Sequence, residues 1–230
     1  METQLLPASP ESIARAASLL QEGELVGLPT ETVYGLAADA LNPTAVRKIF
    51  AAKGRPQDNP LIVHICGLAM METLTSNPPK LAYELAKTFW PGPMTMVLPK
   101  AACLSDEVTA GLPTVGIRFP AHPAAQAIIR ESGLPLAAPS ANLSGSPSPT
   151  KASHVYDDLQ GKIPLIIDGG ECAVGLESTV IAVKDDRIQL LRPGGVTVEQ
   201  LRAFAPVEID DGVLHQLDAG TKVASPGMKY

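Results

Sequence analysis

The sequence predicts an α/β or α+β domain. Helix-like and strand-like segments alternate over residues 10–205, and this alternation is typical of a sheet covered by helices. The last three strand-like segments follow one another closely, which predicts that part of the sheet is antiparallel. The chain has 230 residues, 45% of them hydrophobic, enough for one sizeable core, although length alone allows one or two domains.

Helices are predicted where apolar residues recur every three to four positions. The first helix follows Ser9, Pro10 and Glu11, which supply a capping residue, a proline in the first turn and an acidic residue near the helix start. Gly23 ends this helix. Four later helices are predicted at 43–53, 79–90, 122–131 and 198–203.

Strands are predicted where short apolar runs end at proline, glycine or charged residues. These runs cover 25–28, 61–65, 94–98, 115–119, 136–138, 165–168, 179–183 and 188–191. Neither an internal repeat nor a long linker interrupts residues 1–205. The pattern weakens after Val207, so we expect residues 210–230 to form an extended tail.

Composition disfavours several classes of protein. The net charge of −6 disfavours non-specific nucleic-acid binding, which depends on Lys and Arg neutralising phosphates, although a total charge does not reveal a local basic cleft. No run of about 18 apolar residues and no signal-peptide pattern is present, so we expect a cytoplasmic protein without a membrane span. Cys66, Cys103 and Cys172 are scattered, which disfavours a disulfide framework or zinc ribbon and favours buried or idle thiols.

Two polar segments in the first third of the chain are candidates for binding an anion, although the usual phosphate-binding motifs GxxxxGKS/T and GxGxxG are absent. Residues 29–36 contain two threonines and a glutamate after a predicted strand. If a helix follows, its N-terminus would bind anions; the alternative is an ordinary capping turn. Lys53 and Arg55 suit phosphate oxygens, or belong to a solvated basic loop. His64 follows in a strand, where a histidine is more often a core residue than a ligand.

Two further segments lie in the second half of the chain. Arg118 sits in an apolar strand, where an unpaired charge is costly, so it should face a cleft and hold a carboxylate; the alternative is an edge strand with Arg118 in water. Residues 138–148 are rich in hydroxyls and suit phosphate or ribose, or form a flexible Ser/Pro loop. Residues 177–179 and 191–195 are weaker examples of such polar segments. Ligands of α/β sheets bind at strand ends, so these segments together suit a small anionic or zwitterionic substrate beside a nucleoside triphosphate.

Taken in order, these segments resemble the YrdC-like family. The resemblance rests on PTETVYGL at 29–36, the K-x-R of Lys53 and Arg55, the S-x-N of Ser140 and Asn142, and the late EST and LRPG strings, and it extends from about residue 10 to 205. Members of the family are threonylcarbamoyl-AMP synthases. The resemblance implies a twisted, mixed parallel and antiparallel sheet with surrounding helices and a large, locally positive, concave cavity.

The resemblance also implies roles for individual residues. The family positions that hold L-threonine match Thr32, His64, Arg118, Ala138 and Ser178. The positions that contact ATP match Arg55, Asn59, Thr114, Ser140, Ser148, Arg192 and Tyr230. Lys53 and Asn142 belong to the signature pairs and are expected near the phosphates, where Lys53 and Arg55 would act as the catalytic cations.

The resemblance divides the chain into a catalytic domain at 1–208 and a C-terminal tail at 209–230. In two-domain members of the family, a segment similar to this tail folds over the active site and leads into a second domain. No second domain follows here, so the chain resembles a two-domain member without its C-terminal domain.

The implied reaction joins L-threonine, bicarbonate or CO2, and ATP into threonylcarbamoyl-AMP and pyrophosphate, for the N6-threonylcarbamoyladenosine (t6A) modification of tRNA. Catalysis would then rest on positioning and electrostatics, with Arg118 on the threonine carboxylate and Thr32 and Ser178 on its polar atoms. Mg2+ is expected with ATP, but the sequence identifies no protein ligands for it. Expected partners also include tRNA and downstream threonylcarbamoyl-transferase proteins.

Two alternatives remain at this stage. One is a non-catalytic module that binds tRNA or double-stranded RNA, against which stand the acidic charge and an aromatic content of 4%. The other is the related carbamoyl-adenylate chemistry of hydrogenase maturation. Proteins of that kind carry zinc-finger and acylphosphatase-like modules, which this sequence does not show.

Overall fold

The computed structural model describes residues 2–214. Its strands, β1 to β11 in chain order, are Gln4–Pro7, Val26–Leu28, Gly35–Asp39, Ile62–His64, Met94–Pro99, Thr114–Arg118, Leu136–Ala137, Leu165–Asp168, Thr179–Val183, Ile188–Arg192 and Val207–Ile209. Its helices, α1 to α9, are Pro10–Gln21, Pro43–Lys53, Leu68–Leu74, Lys80–Phe89, Asp106–Thr109, Pro123–Ser132, Ala152–Leu159, Val198–Arg202 and Asp211–Leu214.

The strands form one mixed sheet in the order β1-β8-β2-β3-β7-β4-β6-β5-β9-β10-β11 within the described residues. Parallel pairs include β4 with β6 and β5 with β9. Antiparallel pairs include β2 with β3, β5 with β6 and β9 with β10. The mixed sheet is therefore confirmed, including the antiparallel arrangement predicted from the closely spaced late strands.

Capping residues set the helix boundaries that matter for the site. Ser9 accepts a hydrogen bond from the backbone of Ser12, and the two side chains form a reciprocal capping box at the start of α1. The side chain of Asn42 caps α2 by accepting hydrogen bonds from the backbone N–H groups of Thr44 and Ala45. The second helix ends at Gly54, whose φ of 62° is the left-handed conformation that glycine adopts easily. This turn places Lys53 and Arg55 at the end of the helix, as the sequence predicted.

The largest correction concerns the segment after β2. A helix was expected to follow residues 29–36, but Gly35–Asp39 is β3, so no helix N-terminus is available there for an anion. Its residues Gly35–Ala38 are buried and the strand pairs with β2 on one side and β7 on the other. Packing on both faces overrides the helical preference of Leu and Ala. Six short elements, β1, α3, α5, α7, β11 and α9, were also not predicted. Because α9 covers Asp211–Leu214, the expectation of an extended tail is wrong for the part of the tail that the structure describes.

Alternation along the strands divides the core between the two faces of the sheet. Leu165 and Ile167 pack in one cluster with Leu20, Leu28 and Ile129, while Ile166 packs in the other with residues such as Leu36, Val63, Trp90 and Ile117. The strand β6 lies between β4 and β5, so the hypothesis of an edge strand with Arg118 in water is wrong. Within residues 2–214, no helix has the length and apolar character needed to cross a membrane.

Candidate active site

A cavity of about 580 Å³ opens where β4, β6, the end of α2 and the loop after β7 meet. Twelve of the site residues predicted from the sequence line it: Thr32, Lys53, Arg55, Asn59, His64, Arg118, Ala138, Ser140, Asn142, Ser148, Ser178 and Arg192. Residues separated by up to 160 positions therefore share one hollow, as the resemblance implied.

Two predicted residues are not brought into this cavity. Thr114 lies at the other end of β6 from Arg118 and lines a separate hollow of about 460 Å³ with Asn77 and Val97. The nucleotide contact expected of Thr114 therefore stays a prediction. Tyr230, with most of the predicted tail, lies outside the described residues.

Arg118 is held by a buried carboxylate that the sequence analysis did not assign to the site. Its Nη2 lies 2.7 Å from Oε1 of Glu31, with side-chain exposures of 5% and 11%. Its Nη1 donates to Oγ1 of Thr32 at 2.8 Å. The second carboxylate oxygen of Glu31 accepts from the backbone N–H of Ala121 at 3.0 Å. The Nε of Arg118 is buried and has no hydrogen-bond partner among residues 2–214, so this donor is left for a ligand.

His64 lies beside Arg118 on the adjacent strand and is 3% exposed. Burial, and then the positive charge of Arg118, lower the pKa of His64 to about 3. The imidazole is therefore neutral at pH 7. Its Nδ1 is buried without a hydrogen-bond partner in the described part of the chain, so it offers the cavity a neutral polar atom.

Lys53 contacts the hydroxyl-rich loop. Its Nζ donates to the carbonyl oxygens of Ser140 and Asn142, the second at 2.5 Å, and lies 3.4 Å from Oδ1 of Asn142. Burial, followed by the charge of Arg55, lowers the pKa of Lys53 to about 7, although the oxygen acceptors favour the ammonium form. The ammonium therefore positions the S-x-N pair, and the phosphate contact expected of Lys53 stays a prediction.

The loop after β7 is fixed at both ends by the backbone beside Tyr34. The N–H of Leu36 donates to the carbonyl of Pro139, and the carbonyl of Tyr34 accepts from the N–H of Ala141. The N–H of Tyr34 donates to the carbonyl of Pro149. The interpretation of residues 138–148 as a loose Ser/Pro loop is therefore wrong, and its hydroxyls are presented to the cavity from an anchored segment.

Ser178 and Arg192 form the opposite side of the cavity. The guanidinium of Arg192 donates to the carbonyl of Ser178 from Nε at 3.1 Å and from Nη2 at 2.9 Å, and to its Oγ at 3.1 Å. Arg192 is also ion-paired with Glu177, whose Oε1 accepts from Ser148 at 2.8 Å. Gly194 packs directly against the backbone of residues 177–179, and only glycine fits there because a Cβ would lie 2.3 Å from the carbonyl oxygen of Glu177.

Three members of this arrangement were missed: Glu31, Glu177 and Thr95. Glu31 and Glu177 stood inside the strings already singled out, and a buried Arg118 demands an anionic partner, so a signal for Glu31 existed. Thr95, whose Oγ1 lies 2.8 Å from Oγ of Ser178, carries no such signal because it looks like any residue of an apolar strand.

The cavity suits a ligand with anionic groups. Arg55, Arg118 and Arg192 line it together with several hydroxyls, and Glu177 is the only carboxylate that lines it within the described chain. No group of three or more His, Cys, Asp or Glu side chains among residues 2–214 is arranged to hold a metal ion. The site therefore offers cationic and hydroxyl groups, which fit carboxylate and phosphate oxygens.

Comparison with known proteins finds relatives over most of the chain. The family model described as "Telomere recombination" (Sua5/YciO/YrdC) matches residues 18–194. The chain is 56% identical over 230 residues to the threonylcarbamoyl-AMP synthase of Bacillus subtilis, which covers 99% of this chain and 66% of that protein. It is 33% identical over 186 residues to the threonylcarbamoyl-AMP synthase of Vibrio vulnificus, covering 80% of this chain and 98% of that protein.

The fold is also that of a solved relative. The crystal structure of Sua5 from Pyrococcus abyssi complexed with L-threonine matches with a TM-score of 0.94 at 48% identity, covering 99% of this chain and 68% of that one. The chain thus spans slightly less than two thirds of the length of the Bacillus relative. With a family model matching most of its length and a close structural relative, the chain belongs to the Sua5/YciO/YrdC family.

Proposed function

We propose that this chain is an L-threonylcarbamoyladenylate synthase, which forms threonylcarbamoyl-AMP and pyrophosphate from L-threonine, bicarbonate or CO2, and ATP, for the t6A modification of tRNA in the cytoplasm. The observation that carries the proposal is that a single cavity contains both the buried Arg118 and the cationic and hydroxyl groups suited to phosphates. The names of the Bacillus and Vibrio relatives and the L-threonine in the Pyrococcus structure support it.

The amino acid would lie against β6. Arg118 has a buried Nε without a partner in residues 2–214, which suits the carboxylate of L-threonine. Thr32 and Ser178 line the same region and offer hydroxyls to its other polar atoms. The amine of threonine must be neutral to attack carbon, and the positive charges of Arg118 and Arg192 favour its deprotonation.

The nucleotide would lie toward the loop after β7. Arg55, Ser140 and Ser148 line that side and suit the phosphate oxygens. In the reaction, the ammonium of L-threonine loses one proton to become a neutral amine, bonds to the carbon of CO2 and loses a second proton, giving a carbamate; both protons pass to water. Where bicarbonate is the source, it first takes up a proton and releases water to give CO2. A carbamate oxygen then bonds to the α-phosphorus of ATP while the bond to pyrophosphate breaks. Negative charge grows on the leaving group, so the cations of the cavity stabilise the transition state.

Mg2+ would accompany ATP on the phosphate oxygens and water. The described residues supply no cluster of carboxylates for it, and Glu177 is already ion-paired with Arg192. This donor set fits Mg2+ that keeps most of its water ligands and is carried by the triphosphate, and it does not fit a metal held by protein side chains alone.

The test is pyrophosphate release from ATP with L-threonine and bicarbonate each omitted in turn. The proposal predicts release that needs both, and a loss of at least about a hundredfold in Arg55→Ala, of the order of one transition-state charge contact. Arg15→Ala, at an exposed position that does not line the cavity, is the matched control and should retain activity. Absence of turnover together with tRNA binding that falls steeply with salt would replace the proposal by the RNA-binding alternative.

A further inference from the structure

Thr30 forms part of a buried hydrogen-bond chain that runs from Arg118 through the candidate substrate contact Thr32 to the carbonyl of Val33. Nη1 of Arg118 lies 2.8 Å from Oγ1 of Thr32, which lies 3.0 Å from Oγ1 of Thr30. Oγ1 of Thr30 in turn lies 2.6 Å from the carbonyl oxygen of Val33. Thr30 is 1% exposed and Thr32 is 0% exposed, so bulk water does not compete for these hydrogen bonds.

The chemistry of the two ends fixes the direction of every hydrogen bond in this chain. A guanidinium only donates, a carbonyl oxygen only accepts, and a hydroxyl has one proton and two acceptor positions. Thr30 gives its proton to the carbonyl of Val33, so it accepts from the hydroxyl of Thr32, and it also accepts from the backbone N–H of Thr32 at 3.2 Å. The proton of Thr32 therefore points at Thr30.

This direction restricts what Thr32 can do for a ligand. Its proton is given to Thr30 and one of its acceptor positions receives Arg118, which leaves one acceptor position. A carboxylate or phosphate oxygen cannot use that position, because it is itself an acceptor. A ligand group that bonds to Thr32 must carry an N–H or O–H.

We infer that Thr30 is a positioning residue that makes Thr32 an obligate acceptor, so that Thr32 receives a hydrogen bond from the amine or the β-hydroxyl of the bound amino acid. This inference rests on the proposed function for the identity of the ligand. It also separates the roles of two adjacent contacts: Arg118 takes the carboxylate, and Thr32 takes a donor of the same molecule, which orients the amine relative to the carboxylate.

The test compares Thr30→Val, which has nearly the shape of threonine without the hydroxyl, with Thr30→Ser, which keeps it. Thr30→Val frees the proton of Thr32 and should raise the Kd and the KM of L-threonine about tenfold, the size of one hydrogen bond, with kcat and the KM of ATP within about twofold. Thr30→Ser should restore the wild-type Kd. If Thr30→Val does not fold, as judged by thermal melting, Thr30→Ala serves as the variant without the hydroxyl.

The analogue L-2-aminobutyrate, which lacks the β-hydroxyl, identifies the donor. If the donor is the amine, loss of the Thr30 hydroxyl weakens L-threonine and L-2-aminobutyrate equally; if it is the β-hydroxyl, the effect is confined to L-threonine. An unchanged Kd in the variant without the hydroxyl, or an equal loss in Thr30→Ser, overturns the inference while wild-type turnover leaves the proposed function standing. Wild-type protein that binds L-threonine but releases no pyrophosphate overturns the proposed function, and the Kd values still decide the inference. Wild-type protein that does not bind L-threonine overturns both.

Discussion

Replacing Glu31 by glutamine removes the carboxylate charge that is ion-paired with the buried Arg118. The side chains are 5% and 11% exposed, and the N–O distance is 2.7 Å. Glutamine has nearly the same shape and its amide oxygen still accepts from the backbone N–H of Ala121, which bonds to Glu31 in the wild type. The substitution therefore changes charge and leaves most of the packing in place.

The loss of stability follows from the burial of the pair. Two unit charges about 4 Å apart attract by about 4 kcal/mol at an effective dielectric constant of 20, and removing one partner of a buried pair costs roughly 3–5 kcal/mol. The cavity beside Arg118 admits water, which recovers part of this energy. We therefore expect Glu31→Gln to lower the free energy of unfolding by about 3 kcal/mol.

Glu107→Gln is the matched control. Glu107 pairs with Arg47 at 2.6 Å, but these side chains are 27% and 47% exposed, so the same change should cost much less than Glu31→Gln. Urea denaturation of both variants gives the two free energies, with equal m-values as the check that each unfolds in one step. L-Threonine should also raise the melting temperature of Glu31→Gln more than that of the wild type, because its carboxylate replaces the lost charge. Equal losses in the two variants would refute the reasoning.

Three further predictions use urea denaturation as the assay. The depressed folded-state pKa of His64, about 3, means that its contribution to stability is present above pH 6.5 and is lost as the pH falls. Between pH 7 and pH 5 the free energy of unfolding of the wild type should fall by about 2 kcal/mol more than that of His64→Gln. Parallel pH profiles of the two proteins would contradict this. Burial lowers the pKa of Lys53 to about 7, so between pH 7 and 10.5 the unfolded chain binds more protons than the folded protein. The free energy of unfolding of the wild type should therefore rise by about 2 kcal/mol relative to that of Lys53→Met between pH 7.5 and 9.5. Equal slopes of stability against pH in the two proteins would count against the lowered pKa. Gly194→Ala places a Cβ 2.3 Å from the carbonyl oxygen of Glu177 and should lower the free energy of unfolding by about 1–3 kcal/mol. Gly67→Ala is the control, because Gly67 has open space around it and an extended backbone, and its free energy of unfolding should change little. Similar losses in the two variants would refute the close packing of Gly194 against Glu177.

Much of the fold could be predicted because strong local signals coincide with the tertiary structure. Helix α2 has Pro43 at its first position, apolar residues at helical spacing and Gly54 at its end, and its observed bounds are those predicted. The prediction for β3 was wrong because such local signals are absent there. Its residues Gly35–Asp39 have no strand signal of their own, and pairing with two neighbouring strands decides their conformation.

In the site, too, some features could be predicted from local signals and others could not. A charged residue in an apolar strand predicts a cleft and an anionic partner, and Arg118 has both. The resemblance placed twelve residues that line one cavity, but it gave no information on hydrogen-bond direction or on groups behind the lining. The contact of Lys53 with the carbonyls of Ser140 and Asn142 and the bond between Thr95 and Ser178 depend on three-dimensional positions that no local pattern encodes.

The most direct test of the central claim is mass spectrometry of the product formed from 13C-bicarbonate, ATP and L-threonine. If one cavity holds the amino acid beside the triphosphate, the 13C atom should appear in an adenylate whose mass is that of threonylcarbamoyl-AMP, formed together with an equal amount of pyrophosphate. Glu31→Gln and Arg55→Ala should form less of it. Pyrophosphate release without any labelled adenylate would contradict the account.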